Sequence, residues 1–202
     1  MHSKSSWRSR AFVIAFVVLL GALAIPAAAT AAAETFHRFE VDATATYTVT
    51  ETCSDRSTST TFINVIAGHE EEQENRVSTL DNDFLNVRIL NFRDCEGNFV
   101  NDFGFGPAEF TFSPALQEAA VTGTVTTVRG RRTVAVHLTW SATSPLEVTN
   151  NTTTFEGFTG HFQGKRRDAV ASGTVTVDGV TLVNGSTTDA EIESLEDTNI
   201  RH

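Results

Sequence analysis

An all-β domain of about eight to ten antiparallel strands, a barrel or a sandwich, is the fold class this sequence predicts. Three observations predict it. Apolar and polar residues take turns with a period of two along most of the chain past residue 33. Turn-forming residues interrupt that alternation at intervals suited to strands and hairpins. No long segment past residue 33 repeats its apolar residues at helical spacing.

The first strand is expected over 39–49, where Phe39, Val41, Ala43, Ala45, Tyr47 and Val49 share one face. Its length suits a barrel stave or a bent strand. A second is expected over 58–67, with apolar residues on both faces, and Gly68 and the acidic run 69–74 are expected to break it as a solvated loop. The third covers 84–93, with Leu85, Val87 and Ile89 on one face, and a turn follows at 95–98. The Phe-rich stretch 99–112, interrupted by Gly104, Gly106 and Pro107, predicts two short strands around a kink. Ser113-Pro114 suggests a helical turn over 113–118, with serine as cap and proline at the first position.

A hairpin is expected of strands 119–128 and 133–142 around a tip at 129–132. Ser144-Pro145 marks a turn, Asn150-Asn151 a polar loop, and the glycines at 157, 160 and 164 suggest bulged pairing. Residues 167–177 alternate again, and Asp178-Gly179 is a favoured hairpin turn leading into 180–183. Asn184-Gly185 reads as another turn, with a weaker last strand over 190–195.

Residues 1–33 read as a signal peptide. Lys4, Arg8 and Arg10 precede an apolar run from Ala11 to Leu23, and small residues follow Pro26, so cleavage is expected after Ala29 or Ala33. The alternative is an uncleaved anchor, since the apolar run approaches spanning length. Residues 34–202 then form one domain of roughly 170 residues, large enough for a core without staples. Its expected location is extracellular. In such an oxidising space Cys53 and Cys95, the only cysteines, are expected to form a disulfide worth roughly 3–4 kcal/mol by loop closure.

All 25 acids lie past the leader, as do all but three of the 15 bases. That balance repels nucleic acid and anionic membrane, so neither is an expected partner. Two cysteines are too few for a thiolate zinc site, and the acidic run 70–74 lacks the Asp/Asn alternation and glycine of a calcium loop. No metal and no cofactor are expected. No Gly-x-Ser-x-Gly elbow is present, and no catalytic set follows from spacing.

The candidate ligand-binding residues are His137, His161, Arg131 and Arg167. A histidine turned into a barrel cavity would be a general-base candidate. The clusters 129–132 and 165–167 would grip a carboxylate or phosphate if the fold joined them, and are otherwise a soluble hairpin tip and edge. Trp140 and Tyr47 lie on apolar faces and read as core rather than sugar platforms. The phenylalanines past the leader imply a greasy core or a lined pocket. Asn150, Asn151 and Asn184 each begin an Asn-x-Ser/Thr triplet.

Val134-Ala135-Val136-His137-Leu138-Thr139-Trp140, the segment Ser141-Ala142-Thr143-Ser144-Pro145-Leu146, and Gly164-Lys165-Arg166-Arg167-Asp168-Ala169-Val170-Ala171-Ser172-Gly173-Thr174-Val175 with Ala190 carry a resemblance. This part of the chain, 134–195, resembles a group of uncharacterised secreted all-β proteins of soil-type bacteria. Ser144 stands where the group has glycine, and Lys165 where it has threonine. The resemblance implies export and an all-β fold, and transfers no activity and no functional residue.

The functional expectation is a non-catalytic domain binding a small apolar ligand or a surface partner. The alternatives are a small barrel enzyme, an isomerase or hydrolase with His137 or His161 as base, and a structural role at the cell surface.

Overall fold

The computed structural model describes residues 34–201, so the expected leader lies outside the described residues. Nine strands and no helix are found among them: β1 (Glu34–Thr52), β2 (Thr58–Glu74), β3 (Val77–Asn91), β4 (Val100–Phe112), β5 (Glu118–Thr126), β6 (Thr133–Ala142), β7 (Glu147–Phe155), β8 (Phe158–Val177) and β9 (Val180–Arg201). All pairings are antiparallel, in the order β6-β5-β4-β3-β2-β1-β9-β8-β7. A further β6–β8 pairing closes the ring. The domain is therefore an eight-stranded closed barrel with one extra strand, β7.

β8 makes this possible by serving two neighbours in turn. Its second half pairs with β6, from Ala142↔Ala169 to Val134↔Val177. Its first half runs past the ring and pairs with β7, from Phe155↔Phe158 to Glu147↔Arg166. At the seam Gly173 lies opposite Leu138 with φ +142°, a conformation open to glycine, and a Cβ there would collide with the His137 carbonyl.

The alternation determines what fills the ring. Val41, Ala43 and Ala45 of β1 share the inner face with Ala67, Val65 and Ile63 of β2, Leu85, Val87 and Ile89 of β3, and Val134, Val136, Leu138 and Trp140 of β6. Val41, Val65, Leu85, Leu138, Trp140 and Ile192 have no accessible area at all. These side chains pack against one another across the ring and fill its waist, as eight staves permit. The Trp140 indole reaches through this core and donates from Nε1 to the Thr44 carbonyl of β1 at 2.7 Å.

Cys53 and Cys95 are bridged across the loops that follow β1 and β3. The bridge is consistent with an extracellular protein. At the same end Asp102 is buried on β4, and its carboxylate accepts the N–H groups of Arg129 at 2.9 Å and Gly130 at 2.8 Å. This anchors the 129–132 tip. Burial works against the Asp102 charge, but hydrogen bonds from Thr127 and from the Arg129, Gly130 and Phe103 backbone outweigh it and hold the carboxyl below its ordinary range.

Several expected boundaries are corrected. Gly68 and the acidic run lie inside β2, which continues to Glu74. Arg38 of β1 ties the run down, bonding Glu70 at 2.6 Å beside Glu72. Residues 100–112 form one strand rather than two, since Gly104 and Gly106 pair without interruption with Val87 and Leu85. Residues 113–117 make no helix: Leu116 has φ 52°, and Ser113 Oγ accepts from the Gln117 and Glu118 N–H groups as the cap of a tight turn. Asn150-Asn151 sits in β7 and Asn184-Gly185 inside β9, each paired with β8. The register shifts of β8 fall at Ala169/Ala171 and Val175/Thr176, not at Gly157, Gly160 or Gly164. The Asp178-Gly179 turn stands as expected, with both φ angles positive.

Gly173→Ala is expected to open the β6–β8 seam at a cost above about 2 kcal/mol, because the new methyl displaces paired backbone. Urea denaturation of the variant, set against Gly179→Ala in the open turn, measures this. An equal loss in both would refute the steric account.

Candidate functional site

Opposite the disulfide, five strands overrun the ring. The ends of β1, β2, β3, β8 and β9, with β7 alongside, rise as a lip above the barrel mouth. The inner face changes character there. One step above Ala43 and Ala67 the register places His69 beside Val41 on one side and Asp83 on the other.

His69 Nδ1 lies 2.8 Å from Asp83 Oδ1, and Asp83 Oδ2 accepts the Phe110 N–H at 3.3 Å. A carboxylate only accepts, so neutral His69 carries its proton on Nδ1 and keeps an acceptor at Nε2. Nε2 has no partner among the described residues. The ring packs against Phe39 and Phe112, with centroids 6.5 and 6.0 Å away, and Phe39 and Phe112 lie 6.1 Å apart. Higher on the lip His37 Nε2 meets Glu196 Oε1 at 3.2 Å, and Gln163 donates to Asn150. An imidazole oriented by a carboxylate is base geometry. No hydroxyl or thiol is bonded to Nε2 among the described residues.

The four candidate residues do not converge. His137 projects from the outer wall of β6, exposed, with Nδ1 2.9 Å from Thr122 Oγ1. His161 stands exposed on the lip beside Thr152 of β7. Arg131 lies at the exposed 129–132 tip, at the disulfide end. Arg167 is half-buried near the mouth and spends its donors on the Ala115 carbonyl at 3.0 Å and the Ser144 carbonyl at 2.8 Å, clamping two loops. The two basic clusters therefore lie at opposite ends of the barrel. Sequence reasoning missed His69 and Asp83 because ending the second strand at Gly68 removed the parity that turns His69 inward.

The outer wall carries two further features. Asp42 sits among Glu40, Glu70 and Glu193 with Arg38 nearby, and its Oδ1 is buried without a hydrogen bond. Burial first, then those three carboxylates, push its pKa up to about 7, against the pull of Arg38. Gly68 is required beside it, since a Cβ would run into the Asp42 carboxyl, the Val41 carbonyl and the Phe84 ring. The second feature is aromatic. Phe62, Phe92 and Phe99 follow one another at 6.3 and 6.1 Å, and Phe84 stacks on Phe105 at 6.0 Å. Phe92 is 67% exposed, Phe105 63% and Phe99 59%. Between β4, β5 and β6 a shallow depression of about 460 Å3, bordered by Thr111, Ala120 and Thr139, opens to solvent.

Fold and site thus define a closed antiparallel barrel with a filled waist, a polar lip and an aromatic outer wall. No family model, no curated protein and no solved structure matches the chain.

Asp42 retains its proton in the fold up to about pH 7, whereas the unfolded chain releases it near 3.8. The folded state therefore loses stability as pH rises from about 4 to 7. Asp42→Asn is expected to remove that slope and to be the more stable protein at pH 8, by an amount on the order of a few kcal/mol. Urea denaturation of both proteins at pH 5 and pH 8 tests this, and a variant no more stable at pH 8 would contradict it.

Proposed function

We propose that the chain is an exported, non-catalytic binding domain that docks an apolar-faced protein partner on the outer wall of β2, β3 and β4 and the β3–β4 connection. The exposed phenylalanines carry this reading. Two exposed aromatic groups in contact with water, Phe62–Phe92–Phe99 and Phe84–Phe105, cost free energy and favour a covering partner. Arg88 and Arg93, both exposed, border the patch and suit a partner with carboxylates at its rim. The close packing of apolar side chains across the waist favours a binding reading at the surface over a small apolar ligand held inside.

The leader pattern, the resemblance over 134–195 and the disulfide support export. The acid excess argues against nucleic acid. On β5, β6 and β8 the outer wall bears Thr122, Thr124, His137, Thr139, Ser172 and Thr174, while the lumen is apolar. That is the inverse of a lipid-facing barrel and argues against membrane insertion.

The test compares the wild-type protein with the Phe92→Ser/Phe99→Ser/Phe105→Ser variant, both recovered from their own culture. The wild type is expected to co-purify with a stoichiometric protein that the variant loses, at equal thermal stability. A wild type recovered bare from medium and cell envelope alike would sink the reading.

A second reading, a barrel enzyme, is favoured by the His69–Asp83 pair at the mouth. It places a general base at His69 rather than at His137 or His161. His69→Gln is expected to abolish any turnover found in a substrate panel without lowering the melting temperature, and unchanged turnover would remove the assignment.

A further inference from the structure

β7 is an open edge. Among the described residues it pairs with β8 alone, and all nine of its residues are exposed. Along an antiparallel edge every second residue turns its N–H and C=O away from the neighbour. Natural proteins usually blunt such an edge with lysine, proline, a bulge or a short strand. β7 has none of these: it runs Glu-Val-Thr-Asn-Asn-Thr-Thr-Thr-Phe, β-prone and almost uncharged, and its pairing with β8 has no register shift.

We propose that β7 pairs antiparallel with β7 of a second copy, joining two barrels into a two-fold dimer through a continuous sheet. Charge argues for a copy in this orientation. The chain carries a net charge of −10, so most of its surface repels itself. β7 holds a single charge, Glu147, at one end. Antiparallel pairing centred on Asn151 sets Glu147 opposite the partner's Phe155. The two Glu147 side chains then lie about 27 Å apart, beyond the reach of screened repulsion at physiological salt. Each comes near the partner's Glu156 only at the rim, where Arg166 of β8, directly across from Glu147, offsets the charge.

The same register opposes Val148 to Thr154, Thr149 to Thr153 and Asn150 to Thr152, with Asn151 facing its own counterpart. Each of these inner pairs is neutral and able to pack or hydrogen-bond. The two-fold makes the contact self-complementary, so assembly stops at two. A dimer of this form leaves the aromatic wall of β2–β4 uncovered, so the proposal stands independently of the docking reading.

Sedimentation of the purified protein over a hundredfold concentration range is expected to show a monomer–dimer equilibrium. Thr152→Pro, which breaks the edge at an exposed position, and Thr152→Lys, which places a charge there, are both expected to shift it at least tenfold toward monomer. Far-ultraviolet spectra should stay unchanged. Oxidation of Asn151→Cys is expected to trap a covalent dimer. Asn150→Cys, whose side chain leaves the opposite face, is expected to trap far less. A wild type that stays monomeric throughout, a dimer indifferent to Thr152→Lys, or equal trapping by both cysteines would overturn the proposal.

Discussion

Closure of the ring at the β6–β8 seam is the constraint on which the rest of the structure depends. A strand can be hydrogen-bonded along one side by only one neighbour at a time, so β8 divides its length between β6 and β7. Where β6 holds it, the sheet shuts and the lumen becomes inaccessible to water. Where β7 holds it, the sheet stays open and rises as the lip. Gly173 lets the two backbones approach at the join, and Trp140, bonded to Thr44, fills the space enclosed.

The chemistry of each region follows from that division. Inside the ring an unpaired polar group forfeits its hydrogen bonds to water, so most inner positions are Val, Ala, Leu, Ile, Phe or Trp. Tyr47 of β1 departs from this: its hydroxyl is buried without a hydrogen bond, and burial pushes its pKa up to about 12. Above the ring the same inner parity faces water again, and it carries His37, His69, Asp83 and Glu196 in cross-strand pairs. His69 stands at the boundary, its ring against Phe39 and Phe112 and its Nδ1 on a carboxylate. The outer wall divides as well. Threonine and serine cover β5, β6 and β8, acids gather around Asp42, and phenylalanines collect on β2–β4. Polar lip, acidic wall and aromatic wall are three separate surfaces on one scaffold.

Particular residues show how far the sequence was legible. The 133–142 strand was bounded correctly because Val134, Val136, Leu138 and Trp140 alternate without interruption between clear turn signals. Asp178-Gly179 was a turn because both residues tolerate positive φ. Asn184-Gly185 has the same turn chemistry and yet runs straight, because β8 supplies it with a paired neighbour at Gly173 and Thr174. The acidic run after Gly68 looked like a loop because like charges repel in an isolated strand. Arg38, on a strand thirty residues earlier in the chain, reverses that balance. The candidate site was the least legible part. His69 and Asp83 become partners only through the β2–β3 register, while His137, the more conspicuous histidine, faces outward to Thr122.

By itself the sequence determined the all-β class, the strand-rich design, the 133–142 strand, the Asp178-Gly179 hairpin turn and the single possible disulfide. Each of these rests on local alternation, turn chemistry or a count of two. Only the tertiary structure decided that the sheet closes into a barrel, that the waist is solid, and that the phenylalanines of β2–β4 stay outside. It alone paired His69 with Asp83 and left β7 with an unpaired edge. The physical reason is the same in every case. Alternation says that a strand has two faces, but which face meets water, and which edge meets another strand, depends on where the chain returns.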